Sequence, residues 1–195
     1  MKTSASRLAA FCAFGVLLGC AHAPANDPAA AVAVATPAAS IELRQPRAGL
    51  FTAGQPAAGD WQAIAARGVT TVVNLRTPKE MEGRDEAAEV AAAGMRYVAI
   101  PVAGADGIDD ANAARLRDAL QAANGPVLVH CHSGNRAGGL LALMAARDEG
   151  LPAEQALALG RDAGMTSTEA RVRAQLQVPV CTSGSAASGV PEGCP

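Results

Sequence analysis

The sequence predicts an α/β domain, a parallel four- to five-stranded sheet flanked by helices, and three observations carry that expectation. Short β-branched runs alternate with longer Ala-rich amphipathic runs between residues 49 and 178, as in strands joined by crossover helices. Half of the 195 residues are apolar, enough for one core of ordinary domain size. Capping signals and glycines then fall where the runs begin and end.

At the N-terminus, Lys2 and Arg7 flank an apolar run from Leu8 to Leu18. That run is too short for a finished membrane helix and has the form of a secretory signal. It ends in Leu17-Leu18-Gly19-Cys20, which resembles the bacterial lipobox. The resemblance implies that residues 1–20 end in cleavage before Cys20 and lipidation on it. Ala21, rather than Asp, follows, which implies sorting to the outer membrane, with the lipid at Cys20 as the membrane contact and the domain facing the periplasm. From Ala21 to about Ser40 the chain is nearly all Ala and Pro, so residues 21–47 are assigned to a spacer and residues 48–178 to the domain.

Strands are expected at Leu50–Ala53, Val69–Leu75, Met95–Ile100 and Val127–His130, and helices at about 57–67, within 79–93, and at 109–123, 136–149, 153–163 and 167–177. Thr77-Pro78-Lys79-Glu80 has the spacing of a capping box with Pro in the first turn, and Thr166-Ser167-Thr168-Glu169 repeats the spacing. Gly83 should split the second helical window. Gly68, Gly94, Gly125 and Gly150 follow helical runs where a left-handed residue is often needed. Trp61 and Met144 sit at core spacings.

The Ser/Gly-rich tail, 179–195, holds Cys181 and Cys194. In an oxidising compartment these are the expected disulfide pair. Cys12 leaves with the signal and Cys20 takes the lipid, so Cys131 is the odd thiol. A formal net charge of −2, one Trp, one Tyr and three Phe give neither the basic surface nor the stacking platforms that nucleic acid needs. Nothing in the pattern sets an oligomeric state.

The chemistry concentrates in "VLVHCHSGNRAGG", residues 127–139. An apolar strand precedes Cys131, and an Ala/Leu-rich helix follows Arg136. The loop between them lies at the carboxyl end of a central strand, where open α/β sheets bind ligands. The N–H groups of His132, Ser133, Gly134 and Asn135 at a helix start bind an anion and favour a thiolate at Cys131. Arg136 offers a planar fork for a tetrahedral oxyanion. Consecutive side chains of His130, Cys131 and His132 leave the backbone in different directions, so neither a metal nor a cofactor is expected.

His130-Cys131-x-Ser133-Gly134-x-Arg136 resembles the signature loop of the cysteine-dependent phosphatases, the protein tyrosine and dual-specificity superfamily. With "FTAGQP" (51–56), "GVTTVVNLR" (68–76), "GMRYVAIPV" (94–102) and "GPVLVHCHSGNRA" (125–137) in order, residues 48–178 are similar to the beta-lactamase hydrolase-like phosphatase family. The resemblance implies a phosphatase-like fold and hydrolysis of a small-molecule or protein phosphoester. It makes Cys131 the nucleophile, Arg136 and the loop amides the phosphate ligands, His130 the residue that orients the loop, and an Asp on the 101–110 loop the acid: Asp106 is the first choice among Asp106, Asp109 and Asp110, since Asp109 is favoured as the cap of the helix that follows. Arg76, ending "VVNLR", reads either as a second anion contact or as a solvated ion pair. Four residues separate Cys131 from Arg136, where the wider superfamily has five, and Ala137 stands where a Ser or Thr is usual. Sulfur transfer through a Cys131 persulfide, as in rhodanese-type enzymes, and anion binding without turnover therefore stand as alternatives.

Overall fold

In the computed structural model, residues 40–178 are described. Cys20, the Cys181–Cys194 pair and the 179–195 tail lie outside them. Five strands, β1 (Arg44–Arg47), β2 (Leu50–Ala53), β3 (Thr71–Asn74), β4 (Arg96–Ala99) and β5 (Val127–His130), form one sheet in the order β1-β2-β5-β3-β4. Helices α1 (Trp61–Ala66), α2 (Glu86–Ala92), α3 (Asp110–Gln121), α4 (Asn135–Asp148), α5 (Ala153–Asp162) and α6 (Glu169–Leu176) cover its faces.

β5 is the central strand, parallel to both β2 and β3. All four of its residues are buried, which is why it reads as an unbroken apolar run. The sheet is mixed rather than wholly parallel, because β1 pairs antiparallel with β2 through a tight turn. β1 lies inside the stretch assigned to the spacer. As an edge strand it tolerates Pro46 and charged residues, so it carries no alternating apolar signal. The described fold reaches back further still, since the backbone N–H and hydroxyl of Ser40 donate to the Asp60 carboxylate at 2.6 and 3.1 Å.

The second helical window divides as expected, into a single 3-10 turn at Pro78–Met81 and α2, with Gly83 at φ +80° between them. Thr77 and Glu80 cap one another reciprocally. The matching spacing before α6 is not used that way: the Thr166 N–H donates to Asn135 Oδ1 at 2.7 Å, and the Glu169 carboxylate is taken by Arg161 and Arg173. Gly125 is not left-handed; a Cβ there would lie 2.9 Å from the Thr70 side chain, so its smallness is steric.

Side chains alternate across β5. Val127, Val129 and Cys131 join the core beneath α3, α4 and α6. Leu128 joins the core around Trp61 on the opposite face, and the His130 ring stands edge-on to Trp61 at 6.1 Å. Leu140 to Ala145 of α4 are all buried, as befits a helix that is apolar all round. Its start packs backbone to backbone on α5: a Cβ at Gly138 would lie 2.4 Å from the Met165 nitrogen and 2.5 Å from the Gly160 oxygen. Gly138→Ala is therefore expected to destabilise the fold by ~1–3 kcal/mol or more, read as a lowered thermal midpoint.

Candidate active site

The loop after β5 is short and held on three sides. The Cys131 N–H donates to the Ala53 carbonyl at 3.4 Å, the Gln55 N–H to the His132 carbonyl at 3.0 Å, and the Leu75 N–H to the His130 carbonyl at 2.9 Å. Gly54 and Ser133 form an isolated antiparallel bridge. Gly134, at φ +87°, turns the chain into α4 as its N-cap, and its N–H points at the Cys131 Sγ, 3.2 Å away. Glycine is the residue that reaches this φ without strain. Cys131, 1 % exposed, thus sits at the positive end of a 14-residue helix, with a donor already aimed at its sulfur.

Above it lies a cleft of about 400 Å³. His132, Ser133, Asn135 and Arg136 line its base, Glu80 one side, Gly104 and Ala105 a second, and Ser167 and Thr168 a third. The Arg136 Nη1 donates to Glu80 Oε2 at 2.9 Å and to the Val102 carbonyl at 2.8 Å, while Nη2 donates to Glu80 Oε1 at 2.6 Å. That leaves the Nε–H and the second Nη2–H unclaimed by Glu80 and Val102, a parallel pair that suits an oxyanion. The Glu80 hydrogen bonds raise the Arg136 pKa most, burial works against them, and the nearness of Cys131 adds to the rise. Reciprocally, hydrogen bonding from Arg136 and then from Thr77 outweighs burial and draws the Glu80 carboxyl down to about 2.

Behind the loop, on the Trp61 side, His130 Nε2 lies 2.9 Å from Glu86 Oε1 in a fully buried contact. Burial opposes charge on Glu86, but the hydrogen bond and charge of His130, the Gln55 amide and the Arg84 guanidinium prevail and hold its carboxyl below the usual range. An ionised carboxylate only accepts, so Nε2 carries the proton. The other ring nitrogen, Nδ1, has no partner among the described residues.

Residues 42–148 match the family described as beta-lactamase hydrolase-like protein, phosphatase-like domain. The chain belongs to that family. A beta-lactamase hydrolase-like protein of Agrobacterium fabrum is 36% identical over 92 residues, 45% of this chain and 21% of the relative. One from Xylella fastidiosa is 35% identical over 119 residues, 59% and 27%. The matched region thus spans about a quarter of these relatives. Among solved structures, P. aeruginosa TpbA is 28% identical with a TM-score of 0.56, covering 71% of this chain and 91% of its own. A variant of TpbA was solved in complex with phosphotyrosine, at 26% identity and a TM-score of 0.53, covering 72% and 89%. By family and fold this is a protein tyrosine phosphatase-like hydrolase.

Within this phosphatase-like domain the structure brings His132, Ser133, Asn135 and Arg136 together at one cleft base; Cys131 is buried in the same loop with Gly134 against its sulfur, and His130 lies behind. The Asn135 side chain does more than line the cleft: its Oδ1 accepts from the Thr166 and Thr168 N–H groups at 2.7 and 3.2 Å. Asp106 is exposed, on the loop whose Gly104 and Ala105 form the cleft wall. Asp109 caps α3 through the Asn112 N–H at 2.8 Å, and Asp110 pairs with Arg147 at 3.2 Å. Arg76 does not line the cleft. Its Nη1 and Nη2 donate, each at 2.6 Å, to the Gln55 side chain and the Glu80 carbonyl; of its two expected roles the structure shows an ion pair, with Glu80 at 3.6 Å, but a largely buried one rather than a solvated one. Sequence reasoning placed Glu80 only as a cap and missed Glu86 and Gln55, whose partners are distant along the chain.

The Glu80–Arg136 pair fixes a pH dependence. The Glu80 pKa falls from 4.5 unfolded to about 2 folded, so the stability it contributes is complete above pH 4.5 and lost as pH falls towards 2. Thermal midpoints of the wild type and Glu80→Gln should differ by a constant amount above pH 5 and converge below it.

Proposed function

We propose that this chain is a cysteine-dependent phosphatase that hydrolyses phosphomonoesters through a phosphocysteine. The observation that carries the reading is the arrangement around the loop: a buried thiol at a helix N-terminus, one loop N–H aimed at its sulfur, and, in the same short loop, a guanidinium held by Glu80 with one edge unclaimed. Sγ attacks phosphorus while the loop N–H groups and Arg136 hold the equatorial oxygens as charge develops. Asp106 protonates the leaving oxygen and, as carboxylate, takes a proton from the water that cleaves the phosphocysteine. Asp109 and Asp110 are committed to a helix cap and an ion pair, which supports Asp106 in this role. The phosphotyrosine complex of TpbA supports a phosphoester substrate.

The reading extends to place. No helix among the described residues is long and apolar enough to cross a membrane, and the domain works at the periplasmic face of the outer membrane, tethered by a lipid on Cys20. The lipobox-like Leu17-Leu18-Gly19-Cys20 supports this. Cys20→Ala should move the protein from the membrane to the soluble fraction on cell fractionation.

Turnover of an aryl phosphate should vanish in Cys131→Ser, and kcat should fall ~10²–10⁴-fold in Asp106→Asn. The four-residue spacing of Cys131 and Arg136 favours one second reading, sulfur transfer. The same preparations given thiosulfate and cyanide decide it: thiocyanate formation without phosphate release would replace the phosphatase with a sulfurtransferase.

A further inference from the structure

The residues that set the two ends of the Cys131–Arg136 loop do not touch one another, yet a continuous line of hydrogen bonds joins them. Glu86, behind the nucleophile, binds the His130 ring and accepts from the Gln55 side-chain amide. The Gln55 Oε1 accepts from Arg76 Nη1 at 2.6 Å, and Arg76 Nη2 donates to the Glu80 backbone carbonyl at 2.6 Å, so the line passes through the Glu80 main chain; Arg76 Nε lies 3.6 Å from Glu80 Oε1 and makes no hydrogen bond among the described residues. Glu80 then grips Arg136 in two places. Gln55 also holds the loop directly, through its backbone N–H to the His132 carbonyl at 3.0 Å. We propose that Gln55 and Arg76 are positioning residues for phosphoryl transfer, coupling the His130–Glu86 pair behind Cys131 to the Glu80–Arg136 pair beside the cleft.

The physical case rests on what each group lacks if its neighbour goes. Gln55 has one acceptor and one amide nitrogen, and the line uses both, so the amide orientation is fixed: reversing it would set its N–H₂ against Arg76 and its oxygen against Glu86. Arg76 is nearly buried, at 15 % side-chain exposure, and its planar fork spans Gln55 and Glu80 as a lysine could not. Buried polar groups tied in this way shift together rather than singly. Displacing the amide therefore disturbs Glu86 and His130 on one side and Glu80 and Arg136 on the other. Neither residue touches a substrate; each acts through another.

This inference rests on the phosphatase reading, and the test separates the two. In the purified chain, Gln55→Leu, Glu80→Gln and the double variant are compared by kcat and KM on an aryl phosphate. In parallel, the alkylation rate of Cys131 by iodoacetamide and its protection by inorganic phosphate are followed by mass spectrometry of the Cys131 peptide. Each single change should lower kcat by ~10–100-fold, as misplacement of reacting groups does. The double variant should be hardly worse than the poorer single, because either cut interrupts the same line. Phosphate protection should weaken in the same non-additive pattern. Losses that multiply in the double variant would mean two independent structural effects and would overturn the proposal. So would a Gln55→Leu protein that lowers only the thermal midpoint. If Gln55→Leu does not fold, Arg76→Lys takes its place in the cycle with the same expectations. Wild-type protein that binds phosphate without turnover would sink the phosphatase reading, while the coupling would still be read from the protection data.

Discussion

A guanidinium has five donors, and in a half-buried site each must find an acceptor before an anion arrives. Glu80 and the Val102 carbonyl meet that demand for Arg136 on one edge and leave the other edge unclaimed. The rest of the site depends on this division. Without it, Arg136 would either fold onto the thiolate or swing into solvent, and the oxyanion would meet a flexible cation rather than a fixed one. The cleft can be open because its charge is held from the side rather than walled in.

The central strand supplies the complementary constraint. Because residues alternate across β5, His130 and Cys131 leave the same backbone in opposite directions, one into the Trp61 core and one towards α4. The strand end is therefore held from beneath by a buried histidine–carboxylate pair and from above by a helix terminus. That pair is costly to bury unless it is partnered; Gln55 and Arg84 support its carboxylate end, while His130 Nδ1 has no partner among the described residues. Local polar satisfaction and catalytic geometry are thus met by the same atoms.

Much of this was legible in the sequence, for reasons that are local. β5 declared itself as a short apolar run, α4 as an apolar helix after a glycine turn, and the break at Gly83 as a glycine between two short helical pieces. The Cys131–Arg136 loop was readable because its residues are neighbours in the chain. What could not be read depends on pairing at a distance. β1 has no alternating pattern because it lies on an edge. Glu86 looks like one more solvated acid on an amphipathic helix until β5 brings His130 against it. Arg76 read equally as an anion contact or a solvated ion pair because Gln55, which engages it, stands 21 residues earlier. The second capping-box spacing misled for the same reason: Asn135, far away in sequence, claims the Thr166 N–H, and two arginines claim the Glu169 carboxylate.

The depth of Cys131 has a consequence for which esters can react. On the proposed phosphatase reading, a residue that is 1 % exposed, with a backbone N–H against its sulfur, would be reached only by a group that descends end-on. A phosphoryl group with a single substituent could do this, its one branch trailing up the cleft. A phosphodiester would carry a second branch where an oxygen must face the loop, and its phosphorus would stop short of bonding distance. The same reading therefore has the fold sort monoesters from diesters by shape, before any side chain at the cleft rim has read the rest of the substrate.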